Sequence, residues 1–293
     1  MNKYLGNKAA IAVFVLPALL LYSLIVFWPL VQTVYRSLFD WDGVNTASFI
    51  GLDNYKELLD DDLFWTSLKN GAIFAALIAV FQIGLGTLLA LAISDAKVKG
   101  RKWLRISFFM PVVLSVTVVC QLWLSIYNAE YGLLNKLFEL LGLSYRQDWL
   151  SDPGVAIFAI AFVNAWQFMG YHFALLFAGV KSIPEQFVEA AKIDGASKWR
   201  SHWLITLPLL KETYRFCLVF AVTGGLSAFA QMFIMSSGGP GTSTYTLTYL
   251  MYRSAFRINE FGYGSASAVV LVLECLIATL VINRLVARER IIY

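Results

Sequence analysis

Polar side chains inside apolar runs are the residues of this 293-residue chain equipped to do chemistry. Asn164, Gln167 and Tyr171 follow at i, i+3 and i+7, a spacing that puts them on one helical stripe. Trp166, Phe168 and Phe173 lie close by, and His172, at the margin, reads as a packing residue rather than a proton carrier. Thr223, Ser227 and Gln231 repeat at i, i+4 and i+8 beside Gly224 and Gly225. Neutral amides and hydroxyls hydrogen-bond the hydroxyls of a solute, and aromatic faces pack against sugar C–H surfaces. An anionic solute would want Arg or a helix N-terminus, so a neutral polyhydroxyl ligand suits this lining better. The same groups also bond from helix to helix in membranes, and the pattern alone leaves both readings open.

Glu274 is the carboxylate that falls near the centre of an apolar run. An ionisable group there is a functional candidate by default. It is either the titrating group of an ion-coupled secondary transporter or a hydrogen-bonded tie between helices. Covalent chemistry has no machinery here: there is no His-Glu-x-x-His, no Gly-x-Ser-x-Gly and no Cys/His cluster. A Gly-x-x-x-x-Gly-Lys-[Ser/Thr] phosphate loop is missing too, so any ATP hydrolysis would belong to another chain. Cys120, Cys217 and Cys275 sit in apolar stretches without metal spacing and are expected as small buried hydrophobes.

The elements that must position these residues are membrane helices. The chain is 59% hydrophobic and 14% charged, whereas soluble domains carry about 25% charged residues. A bilayer core of about 30 Å takes about 20 helical residues. Six stretches qualify, at about 9–31, 71–93, 106–127, 155–178, 214–236 and 265–286. The expectation is an all-α membrane protein, a single transmembrane domain of six helices. The first run is too long for a signal-peptide core, and no small-residue cleavage site follows it. It is expected as a retained helix, kinked or bounded at Pro17 and Pro29.

Orientation follows from the basic residues. With the N-terminus inside, 16 of the 23 Lys and Arg fall on inner segments, among them Lys3, Lys97, Arg288 and Arg290. An acidic group, Asp60-Asp61-Asp62, falls outside. Both termini are therefore expected inside.

The inner segment 179–213 is long for a connection between packed helices, so structure and a task of its own are expected. Ser182-Ile183-Pro184-Glu185 resembles a capping box that opens a short helix, with Pro184 in its first turn. Ala190 and Ala191 keep one side thin, Gly195 permits a left-handed stop, Ser197 can cap a second short helix, and Pro208 lies just before the chain enters the membrane again. A helix–Gly–helix elbow, charged at Glu189, Lys192 and Asp194, suits docking to a cytosolic partner. A plain amphipathic surface helix is the other reading.

Glu189-Ala190-Ala191-Lys192-Ile193-Asp194-Gly195, followed nine residues on by Ile205-Thr206-Leu207-Pro208, resembles the EAA loop of permease subunits in binding-protein-dependent ABC importers. Phe49-Ile50-Gly51-Leu52-Asp53-Asn54-Tyr55 and Gly238-Gly239-Pro240, with Tyr249, Tyr252 and Ala255-Phe256, are similar to outer loops of the maltose and glycerol-3-phosphate branch. The chain resembles the shorter, six-helix members. The resemblance implies a coupling helix that seats in a cleft of the ATPase, carried here by Glu189, Ala190, Ala191, Asp194, Gly195, Ile205, Leu207 and Pro208. It implies a multi-pass protein of a prokaryotic inner (plasma) membrane, paired with a second permease on a dimer of cytosolic ATP-binding subunits. An extracytoplasmic solute-binding protein would deliver the sugar. No cofactor is bound directly, ATP is used by the partner, and no nucleic acid is involved. The expected substrate path is Asn164, Gln167, Phe168, Tyr171, Thr223, Ser227 and Gln231.

Overall fold

The computed structural model describes residues 8–95 and 98–286. The inner-side cations Lys3, Lys97, Arg288 and Arg290 lie outside the described residues. In chain order, α1 (Lys8–Tyr22) passes through a π-turn (Ser23–Phe27) into α2 (Trp28–Arg36), then β1 (Phe39–Asp40), β2 (Ser48–Phe49) and α3 (Asp53–Asp60). There follow α4 (Asp62–Ser94), α5 (Arg101–Val113), α6 (Val116–Ile126), α7 (Leu133–Leu140) and α8 (Ala156–Ser182). The inner segment holds α9 (Glu185–Ile193), α10 (Lys198–Ser201), a π-turn (His202–Thr206) and α11 (Leu207–Leu209). The chain closes with α12 (Lys211–Leu226), α13 (Ala230–Met235), α14 (Leu247–Arg257) and α15 (Phe261–Val286).

Two compact units result, one of residues up to Asp61 with Leu250–Val270, the other of Asp62–Tyr249 with the residues from Leu271 onward. In the first, Ile11–Arg36 is long and apolar enough to cross a membrane, and none of its most apolar window is buried. A helix that is hydrophobic all round suits lipid. Pro17 and Pro29 do not end it. The π-turn has already shifted the bonding, Trp28 N–H reaching the Ser23 carbonyl, where Pro29 has no N–H to give. Phe39 pairs with Phe49 across the two short antiparallel strands. Buried Asn54 ties α3 to them, its Nδ2 donating to the carbonyls of Ser37 at 2.8 Å and Phe39 at 3.0 Å.

The second unit is built on α4 packed along α8, with α5 and α12 against them. Phe74, Ile78, Val119, Cys120, Ile160 and Met232 form one core cluster, and Ala79, Ala90, Phe173, Leu176, Cys217 and Ala221 another. Helices in lipid gain little from apolar burial as such and rely on close packing. At Gly170 the approach is closest to α5: a Cβ there would stand 2.7 Å from the Phe108 carbonyl oxygen. Cys120 and Cys217 are buried free thiols and Cys275 is half-buried, in keeping with their reading as small hydrophobes.

Several predicted spans are redrawn. Among the described residues, four helices are long and apolar enough to cross a membrane, and a bent pair makes a fifth candidate. The stretch 106–127 is not one straight helix but α5 and α6, turned by 99°. Leu114 and Ser115 are extended between them, just after Pro111, where the helical bonding has lost a donor. The stretch 214–236 is also interrupted: α12 ends at Leu226 after the weak helix formers Gly224 and Gly225, and α13 begins at Ala230. Helix α4 starts at Asp62, well before residue 71, with an acid in its first turn where the helix dipole favours it. The predicted capping box does not form. Ser182 ends α8, and its hydroxyl donates back to the Gly179 carbonyl at 2.8 Å.

Candidate functional site

The α8 stripe meets its neighbours at different depths. Buried Asn164 accepts, through Oδ1, a 3.0 Å bond from Gln82 Nε2 of α4. Fully buried Gln167 donates from Nε2 to the Leu114 carbonyl at 3.0 Å. That carbonyl lies at the break between α5 and α6, where the helix leaves it without a regular partner. The Oε1 of Gln167 is buried with no hydrogen-bond partner. One turn further, Tyr171 is exposed on the surface of this unit at 38%. Its ring lies parallel to Phe168 and meets Phe109 of α5 and Phe220 of α12 edge-on, each at 5.9 Å. His172 is buried beneath, Nε2 lying 3.3 Å from the Cys217 carbonyl.

The second stripe is divided the same way. Thr223 turns its hydroxyl onto its own helix, donating to the Val219 carbonyl at 2.7 Å. Ser227 is exposed at the end of α12, 3.8 Å from Cys275 Sγ of α15, and Gln231 is buried on α13. The structure thus gathers Phe168, Tyr171 and Phe220 around an open aromatic surface, while Asn164 and Gln167 bond between elements. Gln82, Phe109, Phe220 and the Leu114 carbonyl were not singled out in the sequence. Gln82 carried a signal, as an amide in the middle of an apolar run. Glu274 is half-buried on α15, and no basic side chain among the described residues pairs with it.

Past its entrance, the inner elbow has the turn and the second cap that its sequence predicts. Gly195 takes φ +76°, with nothing within 4 Å of a would-be Cβ. Ala196 N–H reaches the Ala191 carbonyl at 2.9 Å, and Asp194 N–H the Ala190 carbonyl at 3.0 Å. These bonds close α9 in a Schellman-type stop that needs a left-handed residue at Gly195. Ser197 Oγ accepts from Arg200 N–H at 3.3 Å and caps α10. Ala191 is buried, whereas Glu189, Ala190, Asp194 and Pro208 are exposed and Ile205 and Leu207 half-buried. Ile193, Trp199, Trp203 and Leu204 expose 57–87% of their surface. Large apolar side chains standing out of so short a segment mark a surface that meets another protein or the membrane. Lys181 Nζ donates to the Ser94 carbonyl at 3.0 Å and ties α8 to the end of α4 above this elbow.

The chain is thus a helical membrane bundle with buried interhelix amides, an open aromatic surface and an exposed apolar elbow. The family described as the binding-protein-dependent transport system inner membrane component matches residues 82–291, and the chain belongs to it. It is 38% identical to the probable ABC transporter permease protein YurN of Bacillus subtilis, over 94% of each chain. It is 33% identical to the multiple sugar-binding transport system permease protein MsmF of Streptococcus mutans, over 92% of this chain and 91% of that one. Its fold matches a solved bacterial alginate ABC transporter in complex with alginate pentasaccharide-bound periplasmic protein. That match has a TM-score of 0.84 at 22% identity and covers 96% of this chain and 95% of the other. The chain is a permease of the inner-membrane component family, not an enzyme.

Proposed function

We propose that this chain is the membrane-spanning permease subunit of an ATP-driven importer that brings a sugar or related polyhydroxyl solute into the cell. The observation that carries the reading is the elbow at Gly195, with exposed Glu189, Ile193 and Trp199, in a chain of the transport-permease family. Six crossings follow if α1–α2, α4, α5–α6, α8, α12–α13 and α15 each span once, with both termini cytoplasmic as the basic residues demand. The elbow, from Glu189, Ala190, Ala191, Asp194 and Gly195 to Ile205, Leu207 and Pro208, would seat on a cytosolic ATPase. That subunit uses the ATP; this chain holds no cofactor.

The solute path would be shared with a second permease and fed by an extracytoplasmic solute-binding protein; the alginate transporter, solved in complex with a pentasaccharide-bound periplasmic protein, supports the latter. MsmF's description as a multiple sugar-binding system supports the solute class. Tyr171, Phe168 and exposed Ser227 offer the neutral hydroxyls and ring faces that a sugar uses. Asn164 and Gln167 act behind them, holding the helices that present the surface, while Thr223 bonds within its own helix and Gln231 lies buried. ATP binding would draw two such elbows together and open the path outward, and hydrolysis would reset it.

The test is uptake in proteoliposomes that hold the whole complex, supplied with binding protein and inside ATP. Labelled oligosaccharide should accumulate with ATP and not with an imposed proton or sodium gradient, and Tyr171→Ala should lower the rate severalfold. Gradient-driven uptake without ATP would overturn the proposal in favour of ion coupling at Glu274.

A further inference from the structure

At the start of α5 the chain carries Lys99, Arg101, Lys102 and Arg105 within seven residues, with no acid among residues 98–106. Arg101, Lys102, Arg105 and Ile106 line a cavity of about 380 Å³, within the size range of small-ligand sites of about 300–1,000 Å³. Among the described residues no carboxylate forms an ion pair with any of the three cations. The Arg105 guanidinium lies over the Phe177 ring of α8, its central carbon 4.0 Å from the centroid, and its buried Nε has no acceptor. Stacking of this kind fixes an Arg in place and leaves its outer N–H groups to an anion.

The helix end adds donors. No side chain caps α5, and the N–H groups of Trp103 and Leu104 both turn to the Gly100 carbonyl. The N–H groups of Arg101 and Lys102 are left without helical partners, at the positive end of the helix dipole. Ile106, in the lining itself, is 44% exposed, and Trp103 on the same helix turn is 72% exposed. A fixed guanidinium, two further cations and an uncapped helix start surround a space lined in part by apolar Ile106. That combination fits a phosphate group attached to acyl chains.

We infer that the α5 entrance is a binding site for the phosphate of an anionic phospholipid headgroup. Basic pockets beside membrane helices on the cytoplasmic side take such headgroups, and the placement in the inner leaflet rests on the orientation proposed above. Bound there, the lipid would bridge the starts of α5 and the end of α8, the two elements that Arg105 and Phe177 already join.

The test uses the purified complex, delipidated in neutral detergent and offered phosphatidylglycerol, phosphatidylcholine or inorganic phosphate, with bound lipid read by native mass spectrometry. Phosphatidylglycerol should be retained over phosphatidylcholine, which carries the same phosphate but no net charge. The double variant Arg101→Gln/Lys102→Gln should lose about tenfold or more of that retention. Lys136→Gln, an exposed cation elsewhere, should lose none, and Arg105→Lys, which keeps charge without the planar fork, should lose part. Equal retention of the two lipids, or wild-type retention by the double variant, overturns the site. Displacement of phosphatidylglycerol by inorganic phosphate at comparable concentration overturns the lipid source and assigns the pocket to free phosphate. Uptake of solute is not a readout here, so failure of this site and failure of the transport reading remain distinct.

Discussion

Asn164, Gln167 and Tyr171 fall within about 60° of one another around α8 at about 100° per residue, and the first and last lie about 10 Å apart along its axis. The periodicity that groups them is sound, and it cannot separate them, because what distinguishes them is depth. At Asn164 the face is covered by Gln82 of α4, at Gln167 by the α5–α6 break, and at Tyr171 it opens. Which residue meets solute is thus decided by chains of contacts far apart in sequence, which spacing does not encode. The two kinds of residue should respond differently to substitution. Gln167→Leu takes the partner from the part-buried Leu114 carbonyl and removes a hydrogen bond worth about 0.5–1.5 kcal/mol, so it should lower the thermal midpoint of the purified protein. Tyr171→Ala should leave that midpoint nearly unchanged and reduce uptake severalfold. Equal thermal loss in both variants would show that Tyr171 is as structural as Gln167.

At the scale of elements, helix existence was legible and helix continuity was not. Apolar composition runs unbroken through Leu114–Ser115 and through Ser227–Phe229, so a hydropathy window passes over both breaks. Pro111 and the pair Gly224-Gly225 were the only local marks of them. The short helices α3, α7 and α14 were missed for the opposite reason: each has too few apolar residues to register as a span. Packing between elements leaves a sharper trace, at Gly170. Gly170→Val would drive a branched side chain into the Phe108 carbonyl and the Val112 side chain, which lie 2.7 and 2.8 Å from the Cβ position. Overpacking of this kind costs about 1–3 kcal/mol, and α5 would have to move away from α8. Gly84→Ala on α4 is the matched control, since nothing lies within 4 Å of its Cβ and alanine is the better helix former by about 1 kcal/mol. Differential scanning of the two variants should show a lowered midpoint for the first and an unchanged or raised one for the second. The reverse order would mean that α5 and α8 do not rely on this approach.

For the molecule as a whole, the elbow was the most legible feature, because its geometry is dictated by local chemistry. A left-handed Gly195, a Ser197 cap and a short Ala-rich helix need no distant contact to form, and all are present. Two substitutions there act on different links between this chain and its proposed ATPase. Gly195→Val asks a β-branched residue to hold φ +76°, a conformation that strains such side chains by about 1–2 kcal/mol or more. Relief comes by unwinding the Schellman-type stop, which redirects α10 and with it exposed Trp199 and Trp203. Glu189→Lys leaves the backbone alone and reverses an exposed charge on α9. If that charge is paired across the docking surface, its loss costs about 2–5 kcal/mol of association. Membrane insertion should survive both changes, since neither residue lies in a spanning helix. ATPase co-purified with the Glu189→Lys variant should fall by tenfold or more. The Gly195→Val variant should retain more ATPase yet lose the stimulation of hydrolysis by solute-loaded binding protein, because the surface is present but no longer moves with the bundle. Measured side by side, wild-type retention and stimulation in both variants would remove the elbow from the coupling path. Loss of insertion in either would mean that the loop serves folding instead.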